Sequence, residues 1–398
     1  MPYYHREIET LLQTVIKHFP ACLITGARQV GKSTLLKKMF AKYEYISFDD
    51  PVLRSMAKED PGLFISSHPA PVIIDEIQYV PEILSYIKMQ IDNNRNIYGQ
   101  YILTGSQSFS LMEGVSESLA GRIMILNLLP FNWKELDEEE KFSSNGISDE
   151  MLRENIFRGF YPELHIQKQL KPNLWYGSYL STYIERDLRN IKVINDLQQF
   201  QKFLMLLAMR VGQLLKLSEV AKECGISSPT AKKWLSILES SYIIYLLKPY
   251  YKNRGKRLVK SPKIYFYDTG LLCYLLSIDE PKRLITVLER GHIFENMLII
   301  EMVKKIFSKE NNIQLFFYRT TNQLEVDLIV EKSEEIIPYE IKYSKTIKKT
   351  MVSSLNLFMK EHDIEKGYLL SLFSDPIYLM PKIKALHWSE FVLNFSLE

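Results

Sequence analysis

Gly26-Ala27-Arg28-Gln29-Val30-Gly31-Lys32-Ser33-Thr34 meets the pattern G-x-x-x-x-G-K-[ST] at every fixed position. The apolar residues 21–25 ahead of it read as a buried strand, and residues 34–42 behind it read as a helix. Strand, glycine-rich turn and helix in that order form a cradle for a polyphosphate. Backbone N–H groups must converge on the anion, so glycines stand where side chains would block its approach. The helix N-terminus adds a positive partial charge aimed at the same point. Gly26, Gln29, Val30, Gly31, Lys32, Ser33 and Thr34 are therefore expected to bind ATP. Lys32 would reach the β- and γ-phosphates, and the Ser33 hydroxyl would ligate Mg²⁺.

Working outward, Tyr45-Ile46-Ser47-Phe48 is a short strand, and Pro71-Val72-Ile73-Ile74-Asp75-Glu76 is an apolar strand running into two acids. A buried parallel strand presents its C-terminal end to the nucleotide. Asp75 is expected to hold Mg²⁺, directly or through water, and Glu76 to activate the water that attacks the γ-phosphate. Tyr101-Ile102-Leu103-Thr104-Gly105-Ser106 ends in small hydroxyl residues, with Thr104 and Ser106 suited either to the γ-phosphate or to an ordinary turn. Arg122 opens the strand 123–128. It stands where a ring-forming ATPase places a finger against a neighbour's γ-phosphate, or where a surface salt bridge would serve equally well. Five strands alternating with helices give a parallel sheet covered on both faces.

Residues 150–210 show helical spacing. Leu217-Ser218-Glu219-Val220-Ala221-Lys222-Glu223-Cys224-Gly225 fits a short helix with Ser218 as cap and Gly225 as stop. Ser228-Pro229 starts a second helix, which is helix-turn-helix spacing. Residues 242–247 and 263–267 read as two strands of a wing. Between Lys248 and Lys263 stand seven basic residues and no acid: Lys248, Lys252, Arg254, Lys256, Arg257, Lys260 and Lys263, with Tyr250 and Tyr251 interleaved. Such a wing suits the phosphate backbone of a DNA duplex, although winged helices also serve as protein-docking modules.

The last third carries a second constellation. A long apolar helix begins at Gly291-His292-Ile293-Phe294-Glu295-Asn296, and strands follow at 315–319, 325–330 and 336–342. An Asp on one strand (Asp327) and Glu-x-Lys on the next (Glu340, Lys342) can meet in space, because residues two apart share a strand face. Asp327, Glu340 and the helix acid Glu295 are expected as metal ligands. Lys342 would polarise water or steady a phosphoryl transition state.

With Thr104-Gly105-Ser106, Leu119-Ala120-Gly121-Arg122, Gly159-Phe160-Tyr161-Pro162-Glu163, Phe294-Glu295-Asn296, Glu325-Val326-Asp327 and Glu340-Ile341-Lys342 added to the phosphate loop and Ile74-Asp75-Glu76, the chain resembles a large prokaryotic group of AAA-type ATPases. In that group the C-terminal half has long been called a domain of unknown function. The resemblance spans nearly the whole chain. It implies an α/β fold: a P-loop (AAA-type) parallel sheet over 1–136, a helical and winged-helix domain over 150–275, and an αβββ restriction-endonuclease-like domain over 285–398. It also implies Glu76 as hydrolytic base, Arg122 as finger in a homo-oligomer, and Asp327, Glu340 and Lys342 as a nuclease-like triad. Val326 stands where that nuclease motif usually has Pro. The functional expectation is an ATP-hydrolysing protein that engages DNA and carries a metal-dependent nuclease. The alternative is an ATP-gated regulator whose last domain only docks a partner.

Composition agrees with a multidomain globular protein: 398 residues, 46% hydrophobic and 24% charged. The net charge of +3 selects no partner by itself. Cys22, Cys224 and Cys273 form no metal or disulfide framework. With no charged-then-apolar leader and no bilayer-length apolar run, the expected location is the cytoplasm.

Overall fold

The computed structural model describes residues 3–105, 115, 118–137, 146–183, 197–251, 261–309, 312–333 and 335–394. Its N-terminal sheet has five strands: β1 (Ala21–Gly26), β2 (Glu44–Ser47), β3 (Val72–Asp75), β4 (Tyr101–Thr104) and β5 (Ile123–Leu128). All pairings are parallel, in the order β2-β3-β4-β1-β5. Near-continuous runs of Ile, Leu and Val suit strands buried on both faces. Alternation decides which face each residue serves: Cys22 and Ile24 pack into one core, Ala21 and Leu23 into the other.

Helices α1 (Ile8–His18), α2 (Lys32–Met39), α3 (Pro51–Glu59), α4 (Pro61–Ser67) and α5 (Ile83–Asn93) accompany this sheet. Asp50 and Asp60 set the starts of α3 and α4. Each carboxylate accepts from backbone N–H groups of the first turn, and a proline follows where no N–H is needed. Because β4 lies between β1 and β3, the phosphate loop, Thr104 and Asp75 end side by side.

Helices Asp149–Arg158, Pro162–Ile166, Pro172–Tyr183 and Leu197–Ala208 follow. Helices Leu217–Cys224 and Ser228–Ser240, where the sequence suggests a helix-turn-helix, follow one another across a short turn, with Gly225 left-handed at the stop. Ser218 is not the cap: Lys216 stands there, with no side-chain bond. The second helix is capped by Ser227 and drives Trp234 against Phe200 and Phe203.

The expected wing is the hairpin β6 (Ile244–Pro249) and β7 (Lys263–Phe266), but it does not stand free. Lys248 and Pro249 pair in parallel with Phe316 and Phe317 of β8 (Ile313–Arg319), so the hairpin extends the C-terminal sheet. That sheet continues through β9 (Glu325–Lys332), β10 (Glu335–Lys342), β11 (Gly367–Ser371), β12 (Ile377–Met380) and β13 (Ile383–His387). Its order is β12-β13-β11-β10-β9-β8-β6-β7. Tyr250, expected on a basic wing surface, is buried against Phe316 and Phe358. Lys263, expected beside it, is buried as well. The charged stretch Glu185-Arg186-Asp187, which reads in the sequence as the solvated face of a helix, lies outside the described residues, as do Ser106, Lys252, Arg254, Lys256, Arg257 and Lys260.

Helix Arg290–Ser308 is buried almost all round and touches β5, α1, β7, β10 and helix Trp388–Asn394. Its Glu301 accepts the Trp133 N–H at 2.9 Å, and its Lys304 donates to the Phe131 carbonyl at 2.8 Å. Among the described residues no helix is long and apolar enough to cross a membrane.

Candidate nucleotide site and C-terminal carboxylate cluster

Two glycines fix the phosphate loop. Gly26 has φ +143°, and a Cβ there would lie 1.9 Å from the Leu128 carbonyl oxygen of β5. Gly31 has φ +91° and is the N-cap of α2, and among the described residues a Cβ there would meet nothing within 4 Å, so its φ and not crowding calls for glycine. Lys32 folds back and donates to the carbonyls of Gly26 (3.2 Å) and Ala27 (2.8 Å). Arg6 braces the loop from outside, donating to the carbonyls of Val30 (2.9 Å) and Leu129 (2.6 Å).

Beside the loop, hydroxyls converge on buried Asp75. Ser33 Oγ donates to its Oδ2 at 2.8 Å, and Tyr45 and Thr104 donate short bonds to its two oxygens. The Thr104 hydroxyl therefore holds the carboxylate. Ser33 and Asp75 together fit a hard divalent cation, which favours hydroxyl and carboxylate oxygens and retains water. Glu76 sits left-handed at φ +58°, a strained conformation for a side chain with a Cβ. Gln78 donates to its carboxylate. Arg122 forms a two-point ion pair with Asp92 of α5, Nε–Oδ1 at 2.8 Å and Nη2–Oδ2 at 3.1 Å. That hydrogen bonding draws the Asp92 carboxyl below its usual range.

Tyr45 was not singled out in the sequence, since a tyrosine inside a short strand reads as packing. Its register beside β3, Tyr45 opposite Ile73 and Ser47 opposite Asp75, brings its hydroxyl to the acid. Tyr242 was missed as well. Its hydroxyl lies 3.1 Å from Thr25 Oγ1, one residue ahead of the phosphate loop, and donates to Asn127, which also accepts from Thr25 at 2.7 Å.

In the C-terminal sheet Asp327, Glu340 and Lys342 do meet. Lys342 Nζ lies 2.5 Å from Glu340 Oε1 and 3.4 Å from Asp327 Oδ2, which also accepts the Ile341 N–H at 2.8 Å. Glu295 faces a different partner: its Oε1 accepts from Lys263 Nζ at 3.0 Å and from the Tyr265 hydroxyl at 2.6 Å. Lys263 also pairs with Glu325 at 2.6 Å, a residue the sequence reading passed over. Burial opposes ionisation of Glu295, but Lys263 and His292 outweigh it and bring the carboxyl down to about 2. Burial, then Asp327, pushes Glu340 up to about 8. Burial, then Glu295, raises Asp327.

The expected metal set Asp327, Glu340 and Glu295 does not fit a divalent ion. The Glu295 oxygen is taken by an ammonium and a phenol, and Lys342 bridges the other two acids. Among the described residues no group of three or more His, Cys, Asp or Glu side chains is arranged to hold a metal.

The parallel sheet with its phosphate loop makes the N-terminal third a P-loop nucleotide-binding domain of the AAA type. Residues 18–137 match an AAA domain family. Residues 149–282 and 290–391 match two domains of unknown function, DUF8612 and DUF4143. The chain is similar to the uncharacterized protein Rv2008c of Mycobacterium tuberculosis, 29% identical over 354 residues, covering 88% of this chain and 77% of that one. It is also similar to the uncharacterized protein MJ1544 of Methanocaldococcus jannaschii, 26% identical over 408 residues, covering 92% and 87%. Among solved structures, the Walker-type ATPase PABY2304 of Pyrococcus abyssi superposes with a TM-score of 0.48 at 16% identity, over 69% of this chain and 96% of that one.

Proposed function

We propose that this chain binds and hydrolyses MgATP at the tips of β1, β3 and β4, and that the nucleotide state sets how its helix-turn-helix engages duplex DNA. In this reading Gly31 and Lys32 hold the phosphates, Ser33 and Asp75 hold Mg²⁺, and Glu76 activates the attacking water. Thr104 and Tyr45 orient Asp75. Arg122 becomes a finger only by exchanging Asp92 for a neighbouring copy's phosphate, so that role belongs to a homo-oligomer. The matches at 18–137, 149–282 and 290–391 support division near 1–136, 150–275 and 285–398.

The observation that carries the switch is the Thr25–Asn127–Tyr242 contact. It joins the strand feeding the phosphate loop to Tyr242, two residues past the end of helix Ser228–Ser240, so a shift of the loop on binding or losing a phosphate is felt there directly. The exposed start of that helix supports the DNA part: Ser228, Lys232 and Lys233 face solvent with no acid before Glu239.

The test is fluorescence anisotropy of a labelled duplex with ATP analogue or ADP bound. Allosteric coupling free energies typically correspond to about 5–150-fold in affinity. The two nucleotide states should therefore differ by at least about 5-fold, and Tyr242→Phe should shrink the difference. Equal affinities in both states would remove the switch. Loss of DNA binding altogether would favour a protein-docking role for the same helices.

A further inference from the structure

We infer that Lys263 is the resident cation of the C-terminal carboxylate cluster: it fastens the β6–β7 hairpin through Glu295, one of the acids expected to bind metal, and through Glu325 of β9, and the cluster takes no divalent ion. Three observations carry this. First, the ammonium is buried, 1% exposed, and lies 3.0 Å from Glu295 and 2.6 Å from Glu325. Second, the helix pair Glu295-Asn296 works as a clamp on β7. Asn296 accepts the Phe266 N–H at 2.6 Å and donates to the Phe266 carbonyl at 3.0 Å, standing in for a neighbouring strand. Lys263 and Tyr265, two apart on β7, share one face, and both reach Glu295 Oε1.

Third, the charges are already close to balance. Glu295, Glu325, Asp327 and Glu340 face Lys263, Lys342 and Arg319, and His292 lies 3.5 Å from Glu295. Adding two positive charges to a set whose Glu295, Asp327, Glu340 and Lys263 are buried carries a desolvation cost with little attraction left to offset it. A hard cation needs about six oxygen ligands. Among the described residues of this cluster, one buried carboxylate oxygen, Glu340 Oε2, is without a hydrogen-bond partner, far short of that number.

The experiment is Mn²⁺ binding to the full chain without nucleotide, read by electron paramagnetic resonance. Wild type and Asp327→Asn should bind the same amount. Lys263→Met should lower the melting temperature and gain one Mn²⁺ per chain, which Lys263→Met/Asp327→Asn lacks, and added Mn²⁺ should restore part of the lost melting temperature. Wild type binding one Mn²⁺ more than Asp327→Asn overturns the inference, and so does a folded Lys263→Met that gains none. The comparison of wild type with Asp327→Asn decides even if Lys263→Met does not fold, and Glu340→Gln can replace Asp327→Asn there.

Discussion

Asp75 gathers three side-chain hydroxyls, and each comes from a different element: Ser33 from α2, Tyr45 from β2 and Thr104 from β4. Lys32→Ala is expected to abolish ATP turnover, read as phosphate release, because the lysine at this position of the loop is the one that reaches the β- and γ-phosphates. A second test at this scale concerns Lys305, whose ammonium burial depresses to about 8. A lysine with a lowered folded pKa destabilises the fold most below about 8. That cost fades as pH rises towards its ordinary 10.5, since the unfolded chain binds more protons between those values. Each unit is worth about 1.4 kcal/mol. Lys305→Met should therefore stabilise the protein at pH 7, and the gain measured by urea unfolding should shrink between pH 8 and 10. At the residue scale the phosphate loop and Asp75 were legible because glycine, lysine and acid stand at fixed spacing. Tyr45 and Glu325 were not, because their partners come from strands that only register brings alongside. Lys263 was misread as wing charge, since a basic run in sequence says nothing about which of its members turns inward.

Among elements, the helix-turn-helix is the one expected to meet DNA. Lys232→Ala/Lys233→Ala should weaken duplex binding, and the slope of log K against log salt should flatten by about 0.9 for each phosphate that is no longer neutralised. Neutralising Lys252, Arg254, Lys256 and Arg257 should act in the same direction. An unchanged slope would mean that these lysines and arginines do not touch phosphate. The two helices were readable from Gly225 and Ser228-Pro229, which set a stop and a start. The hairpin after them was readable as two strands but not as part of a larger sheet. Its attachment depends on Lys248 and Pro249 pairing with Phe316 and Phe317, more than sixty residues later, and no local pattern encodes that.

Across the whole molecule, helix Arg290–Ser308 is what both sheets share. Glu301 and Lys304 pair at 2.9 Å in its buried middle and bind the backbone at Trp133 and Phe131. Glu301→Ala leaves that ammonium buried and unpaired, so urea unfolding should show a loss of roughly 3–5 kcal/mol. Undiminished stability would mean that the shared helix does not depend on this pair. The helix itself was legible from its apolar length. Its role as a spine was not, because burial on every side becomes visible only once both sheets are in place.

The most direct test of the hydrolytic reading is phosphate release and ATP binding measured side by side for wild type and Glu76→Gln. The expected result is that Glu76→Gln binds ATP about as tightly as wild type while its turnover falls by roughly 10²-fold or more, the usual scale for losing a general base. Turnover by Glu76→Gln at the wild-type rate would contradict the assignment of this strand tip as the place where ATP is consumed.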